Sequence, residues 1–459
     1  MVNRTADIGP PSVEGLATDH GDSVLSSCGA RDAIAAGAAI AEDQGERMTT
    51  HTARCCALVA LTTLFAALLV GVGAAPAAHA APTPKTWTIM VYVDGDNNLE
   101  SMIPHDFIKE FCNPGSNAEV NVVCIVDRSP RFDKSYGNWS GAKLFYCTAG
   151  EKPTAADAVA DWGNTDMGDP QTLIDFMDWA KTDYPASHYA ICFWDHGFLW
   201  YPEYYNMRDG TSKDALSEDE FMTAMTAAGP VDVVAWDCCT RQTVEIGTVF
   251  RPFAQAMVGS EEETNWVGLQ YNRFIANLEK YPAWNAEQLA DDMAATAMGD
   301  SACYSEVNLD ARWDDLITAV DQWSVALVNG LPKYRARYDM ARAHTQAIWG
   351  HYAWDLYDAA RTMKKDVPDP AIRSTSQAVM DAVIADVGYN WVRPTPMWGM
   401  TWGRCHGLTI WWPKYKDQLN PSWTKPYSSI NDWTYYQTKI PFGTETHWAE
   451  FLAGYTRNR

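Results

Sequence analysis

The N-terminal half of the chain alternates short apolar runs with segments of helical period. Residues 87–93, 120–126, 143–148, 188–194, 231–236 and 256–259 read as strands. Most end on turn or polar residues: Asp94-Gly-Asp-Asn-Asn98 after the first, Asp127 after the second, Asp195-His196-Gly197 after the fourth, Asp237-Cys238-Cys239 after the fifth. Between them, 172–181 carries apolar residues at Leu173, Phe176, Met177 and Ala180, the spacing of a helix face. Residues 218–228 and a segment from Thr243 read the same way. Runs that are apolar throughout fit strands covered on both faces. Strands alternating with helices predict a three-layer α/β sandwich with a mostly parallel sheet.

The second half changes character. Residues 286–298, 313–329, 333–361 and 371–387 have helical period, with Asn285 as an N-cap and Gly330-Leu-Pro332 as a stop between the second and third. Residues 407–412 return to β before Pro413, and 446–455 form an amphipathic helix. The stretch 389–435 is dense in tryptophan, tyrosine and proline and reads as an aromatic-rich loop system. The predicted organisation is an N-terminal extension and signal peptide over 1–80, a linker over 81–86, an α/β core over 87–280, and a helical region over 281–459 that returns one strand to the sheet.

The extension is an address. From Met48, Arg54 gives a positive start, 55–75 is uncharged and apolar, and Ala78-His-Ala80 fits a cleavage site. A start at Met48 and secretion follow, with no stable membrane association after cleavage. A retained anchor is the alternative, because about 20 apolar residues suffice to span a bilayer. Export permits disulfides among Cys112, Cys124, Cys147, Cys192, Cys238, Cys239, Cys303 and Cys405. Composition fits a large core: 47% hydrophobic residues and 21 tryptophans, whose indole N–H groups need partners when buried. The net charge of −23 argues against nucleic acid, whose phosphates would be repelled.

Ligands of open parallel sheets bind beyond the carboxyl ends of the strands. His196 and Cys239 both follow a strand directly, 43 residues apart, a span that one strand-to-strand crossover fills. A free thiol has a pKa of about 8.5, so a nucleophilic cysteine needs a base or helix N-terminus nearby. Gly197 allows close backbone approach, and its N–H with that of Cys239 suits an oxyanion. A vicinal Cys238–Cys239 disulfide would abolish this chemistry. No third member of a triad is evident.

Several segments together resemble the clostripain family of cysteine peptidases. They are Trp87-Thr-Ile-Met-Val-Tyr-Val-Asp-Gly-Asp-Asn-Asn-Leu-Glu100, His188-Tyr-Ala-Ile-Cys-Phe-Trp-Asp-His-Gly197, Val231-Asp-Val-Val-Ala-Trp-Asp-Cys-Cys-Thr240 and Cys405-His-Gly-Leu-Thr-Ile-Trp-Trp-Pro413, in that order. The resemblance implies a caspase-like fold, a protein or peptide substrate, and a dyad of His196 and Cys239, with no cofactor required. It implies cleavage after arginine or lysine, held by an acidic pocket residue. Val267 stands at that acid's position, which leaves Asp237, Glu262 and Glu263 as the nearby carboxylates. Relatives that cut themselves between histidine and cysteine make Arg208 and Lys213 processing candidates. Calcium dependence in part of the family makes Asp94 and Asp96 candidate ligands, although such residues also form turns. The competing readings are an inactive binding module using the aromatic 389–435 region and an acyl transferase using the same thiolate.

Overall fold

A computed structural model describes residues 83–459, apart from 136, 202–206, 266, 298–300, 349–350, 397–399, 426–427 and 458–459. The extension and signal peptide expected over 1–80 lie outside the described residues. The described part is one unit.

Strands β1 (Lys85–Gly95), β2 (Val120–Arg128), β3 (Gly141–Tyr146), β4 (Ala160–Gly163), β5 (Ala186–Trp194), β6 (Val233–Asp237), β7 (Ala256–Gly259), β8 (Cys303–Asn308) and β11 (Val387–Val392) make one sheet. Its order is β11-β8-β7-β6-β5-β1-β2-β3-β4. The five central strands are parallel, and the flanking pairs are antiparallel. β9 (Ala347–Ile348), β10 (Ala353–Asp355) and β12 (Thr409–Trp411) form a separate three-stranded sheet.

Side chains alternate across the main sheet, as the two-residue period of a strand requires. Met90, Tyr92, Ile191, Phe193, Val234 and Trp236 enter one core layer, whereas Ile89, Val91, Ala190, Cys192, Val233 and Ala235 enter the other. Helices α1 (Pro170–Asp183), α2 (Glu218–Ala228) and α3 (Val244–Phe250) contribute Phe176, Phe221 and Phe250 to the first layer. Helices α4 (Tyr271–Lys280) and α5 (Ala286–Thr296) contribute Phe274 and Met293 to the second. Asn285 caps α5 as expected, accepting from Gln288 N at 2.9 Å.

Two local expectations give way to tertiary packing. The predicted stop at Gly330-Leu-Pro332 is absent, because α6 (Ala311–His344) runs through Pro332. A proline inside a helix costs about 3 kcal/mol. That is outweighed by the burial of Trp313, Trp323, Leu327 and Tyr338 along the same helix. Gly330 leaves room for the Tyr338 hydroxyl, which donates to Leu327 O at 2.9 Å. The helix predicted over 333–361 therefore ends at His344, and β9 and β10 intervene before α7 (Leu356–Asp366) and α8 (Pro370–Asp386). The strand expected to return to the main sheet, β12, instead pairs with β10. Thr409 N and Trp411 N are drawn to Gln242 O and Glu245 Oε1, beside the start of α3. The C-terminal region completes the main sheet with β8 and β11.

Candidate active site

β5 and β6 are adjacent and in register from Ala190↔Val233 to Trp194↔Asp237. Two residues beyond the last pair stand His196 and Cys239, both half-buried at the same rim. The loops carrying them touch. A Cβ at Gly197 would lie 2.7 Å from Cys239 O and 2.7 Å from Cys238 Cβ, so only glycine fits. Leu199 N donates to Thr240 Oγ1 at 3.1 Å, and Thr240 N donates to Glu262 O at 3.1 Å.

The neighbouring cysteines face opposite ways. Cys238 is buried, and its thiol donates to Phe193 O at 3.3 Å. Cys239 is partly exposed, with Sγ 3.5 Å from Thr264 Oγ1. Both are thiols, as are the six other described cysteines, so the vicinal disulfide is not formed. Burial pushes the Cys239 thiol up to about 11, partly offset by the hydrogen bond to Thr264.

His196 has a partner that periodicity does not reveal. Its Nε2 lies 3.0 Å from Asn98 Oδ1. An amide oxygen only accepts, so Nε2 carries the proton and Nδ1 is the accepting nitrogen. Burial pushes the imidazole down to about 4. Near neutral pH the imidazole is therefore neutral and oriented by Asn98, and the thiol is neutral.

The carboxylates proposed for a basic pocket differ in what occupies them. Asp237 is buried, accepts from Leu269 N at 2.9 Å and sits beside the Tyr271 hydroxyl. It thus anchors the turn at Gly268, where a Cβ would come within 1.8 Å of its oxygen. Glu262 is buried and accepts from Trp402 Nε1 at 3.0 Å and from Glu263 N at 3.1 Å. Glu263 and Val267 are half-buried on the same loop, and the Glu263 charge is close enough to raise the Cys239 pKa.

A second group of carboxylates gathers below the histidine loop. Asp96, Asp127 and Asp209 place oxygens within 4.8 Å of one another, all buried. Asp94, opposite Asp127 in the β1–β2 register, is fully buried with no hydrogen-bond partner on either oxygen. Burial, then repulsion from Asp195, Asp127, Asp209 and Asp96, pushes its pKa well up. Of the turn residues, Asn97 is committed to Asp195 Oδ1 at 2.7 Å and Asn98 to His196.

The processing candidates lie on the loop that Asp209 organises. Arg208 is half-buried, bridges to Ala215, and donates its N–H to Asp195 Oδ2 at 2.7 Å. Lys213 is exposed, with φ of 65°. In the aromatic 389–435 region, Trp402, Trp411, Trp412 and Tyr435 are buried and belong to the core. The indoles of Trp411 and Trp448 donate to Tyr201 OH and Trp411 O.

A model of the clostripain family, Peptidase_C11, matches residues 91–365. Clostripain of Hathewaya histolytica is 25% identical over 230 residues, 44% of this chain. The match spans only 43% of clostripain's own length. Among solved structures, a secreted C11 cysteine protease from Bacteroides thetaiotaomicron in complex with an irreversible peptide inhibitor aligns with a TM-score of 0.58 at 16% identity, over 80% of this chain and 99% of that one. An inactive zymogen C11 protease from Parabacteroides distasonis gives 0.57 at 16%, over 81% and 99%. At such identity the likeness establishes the fold.

Proposed function

Because the chain belongs to the clostripain family of cysteine peptidases, we propose that it is an exported endopeptidase in which Cys239 attacks the scissile carbonyl and His196 carries the proton. The observation that carries this reading is the register of β5 and β6, which puts imidazole and thiol at matching positions on adjoining strand ends. His196 Nδ1 takes the thiol proton as sulfur attacks, and the N–H groups of Gly197 and Cys239 stabilise the oxyanion. His196 then protonates the leaving amine, and water resolves the acyl-enzyme. Asn98 orients the ring and keeps the proton on Nε2.

Cleavage after arginine or lysine requires a carboxylate for the desolvated side chain. Glu263, half-buried on the loop that carries Thr264 and close enough to Cys239 to raise its pKa, is assigned that contact. Calcium fits the Asp94, Asp96, Asp127 and Asp209 group, an all-oxygen set suited to a hard cation. The two unpartnered Asp94 oxygens are the observation that favours it. Bound there, calcium would supply positive charge to the histidine and processing loops, which Asp96 and Asp209 join. Export rests on the signal-like N-terminus. No helix among the described residues is long and apolar enough to cross a membrane.

The deciding experiment is a thiol-directed peptide probe followed by mass spectrometry. Covalent labelling at Cys239 that requires His196 supports the peptidase, and an unlabelled Cys239 in folded protein supports the binding module instead. Transfer to an added amine in place of hydrolysis would support the acyl transferase.

A further inference from the structure

We infer that Arg241, two residues after the candidate nucleophile, is a positioning residue that aligns the two loops supplying the oxyanion donors; this rests on the peptidase reading above. Arg241 is buried and forms a two-pronged pair with buried Glu218 at the start of α2, at 2.7 and 3.2 Å. Its Nη1 also donates to Leu199 O, two residues beyond Gly197. Leu199 N is held by Thr240 Oγ1. Both backbone groups of Leu199 are thereby bound by consecutive residues of the nucleophile loop. The stem of Arg241 fills the space beside Gly197, 3.0 Å from where a Cβ would stand, and its guanidinium lies over Trp236 at 4.3 Å. Leu199 and Thr240 both have positive φ, 48° and 55°. That region is disfavoured for side-chain-bearing residues, and for β-branched threonine above all. Surrounding contacts must hold such a backbone in place.

Stability alone does not account for the pair. A buried ion pair is commonly matched or exceeded in stability by apolar residues of similar volume, because two charges must be desolvated. What apolar residues cannot reproduce is a donor fixed at once to Leu199 O and to the first turn of α2. Fixing that geometry sets the distance between the N–H of Gly197 and the N–H of Cys239.

The discriminating variant replaces both partners, Glu218→Leu with Arg241→Met, so that no buried charge is stranded. Expected are a melting temperature within a few degrees of wild type and a kcat at least tenfold lower with KM within twofold. A peptide aldehyde, whose adduct places an oxyanion in the site, should bind at least tenfold more weakly. Iodoacetamide, which needs no oxyanion, should alkylate Cys239 at a rate within twofold. Unchanged kcat and aldehyde affinity overturn the proposal, as does a parallel fall of aldehyde binding and alkylation. Should the double variant not fold, Arg241→Lys keeps the charge without the fork and should lose at least threefold in kcat and aldehyde affinity; no loss overturns the proposal. Failure of the aldehyde to engage Cys239 in wild type would instead overturn the peptidase reading itself.

Discussion

Trp194 and Asp237 face each other as the last in-register pair of two parallel strands. Trp194 belongs to the same core layer as Ala190 and Val233, Asp237 is buried, and the residues two steps on, His196 and Cys239, are half-buried. Chain direction and strand register bring a histidine and a cysteine to the same rim of the sheet, and the contacts of Gly197 and Leu199 with the nucleophile loop hold the two loops together. Strand ends of this kind hold functional groups on rigid scaffold while leaving the loops to vary.

Replacing Cys239 by alanine should lower kcat by at least about 10⁴-fold, since the seven other described cysteines are buried. Cys238→Ala should keep activity within threefold. It removes a buried thiol and its bond to Phe193 O, a stability change of about 1 kcal/mol. Steady-state peptide hydrolysis and thermal melting check both, and a dead, folded Cys238→Ala would reverse the roles of the two residues.

The pH profile should be that of a neutral pair. Cys239 stays a thiol up to about 11, so its alkylation by iodoacetamide should climb close to tenfold per pH unit between pH 7 and 9. His196 accepts a proton only below about 4, so kcat/KM should hold as pH falls to 5 and drop as it passes through 4. An alkylation rate that is flat from pH 6 to 9 would mean a preformed thiolate–imidazolium pair instead.

The sequence pattern made the chemistry-bearing residues legible because a buried parallel strand leaves a continuous apolar run, and His196 and Cys239 stand at the ends of two such runs. Asn98 was not legible as the partner of His196, because the contact joins residues 98 positions apart through sheet order. β8 was hidden by its composition. Ser305, Glu306 and Asn308 look like loop residues, yet each is buried because Gly407 O, Gly388 N and Asp386 O lie within hydrogen-bond reach. Pro332 misled in the other direction, since a local breaker is weak against a helix with one face in the core.

If Glu263 holds a basic side chain ahead of the cut, Glu263→Gln should lower kcat/KM for arginine substrates by tenfold or more and leave an uncharged substrate unaffected. Asp237→Asn should act mainly on melting temperature, because that carboxylate anchors the turn before Tyr271. A mixed peptide library read by mass spectrometry tests the premise, and no preference for arginine or lysine before the cut would remove it.

Calcium should stabilise the folded chain by mass action, by about 2.7 kcal/mol at a hundredfold excess over Kd. Melting temperature should rise on adding calcium to chelator-treated protein and fall back with chelator. Asp127→Asn removes a member of the buried trio and should abolish the response. A wild-type melting curve unmoved by millimolar calcium would leave the carboxylates without a cation.

Self-cleavage, if it occurs in the loop between the two candidate catalytic residues, should fall after Lys213 and not after Arg208. A protease reads its substrate as an extended strand, and the bond must leave its own hydrogen bonds to be read. Arg208 is half-buried, and its N–H is bound to Asp195 and its backbone bridged to Ala215. Lys213 stands exposed, with its N–H bound only within the turn, to Asp209 O at 2.9 Å. Its positive φ already stores strain of about 1 kcal/mol that opening would release. The expected fragments end at Lys213 and begin at Asp214. Lys213→Ala should stay whole while Arg208→Ala is still cut, and Cys239→Ala should stay whole until active enzyme is added. Terminal sequencing and intact mass measure all three, and a nick after Lys213 in purified Cys239→Ala would assign the cut to a different protease.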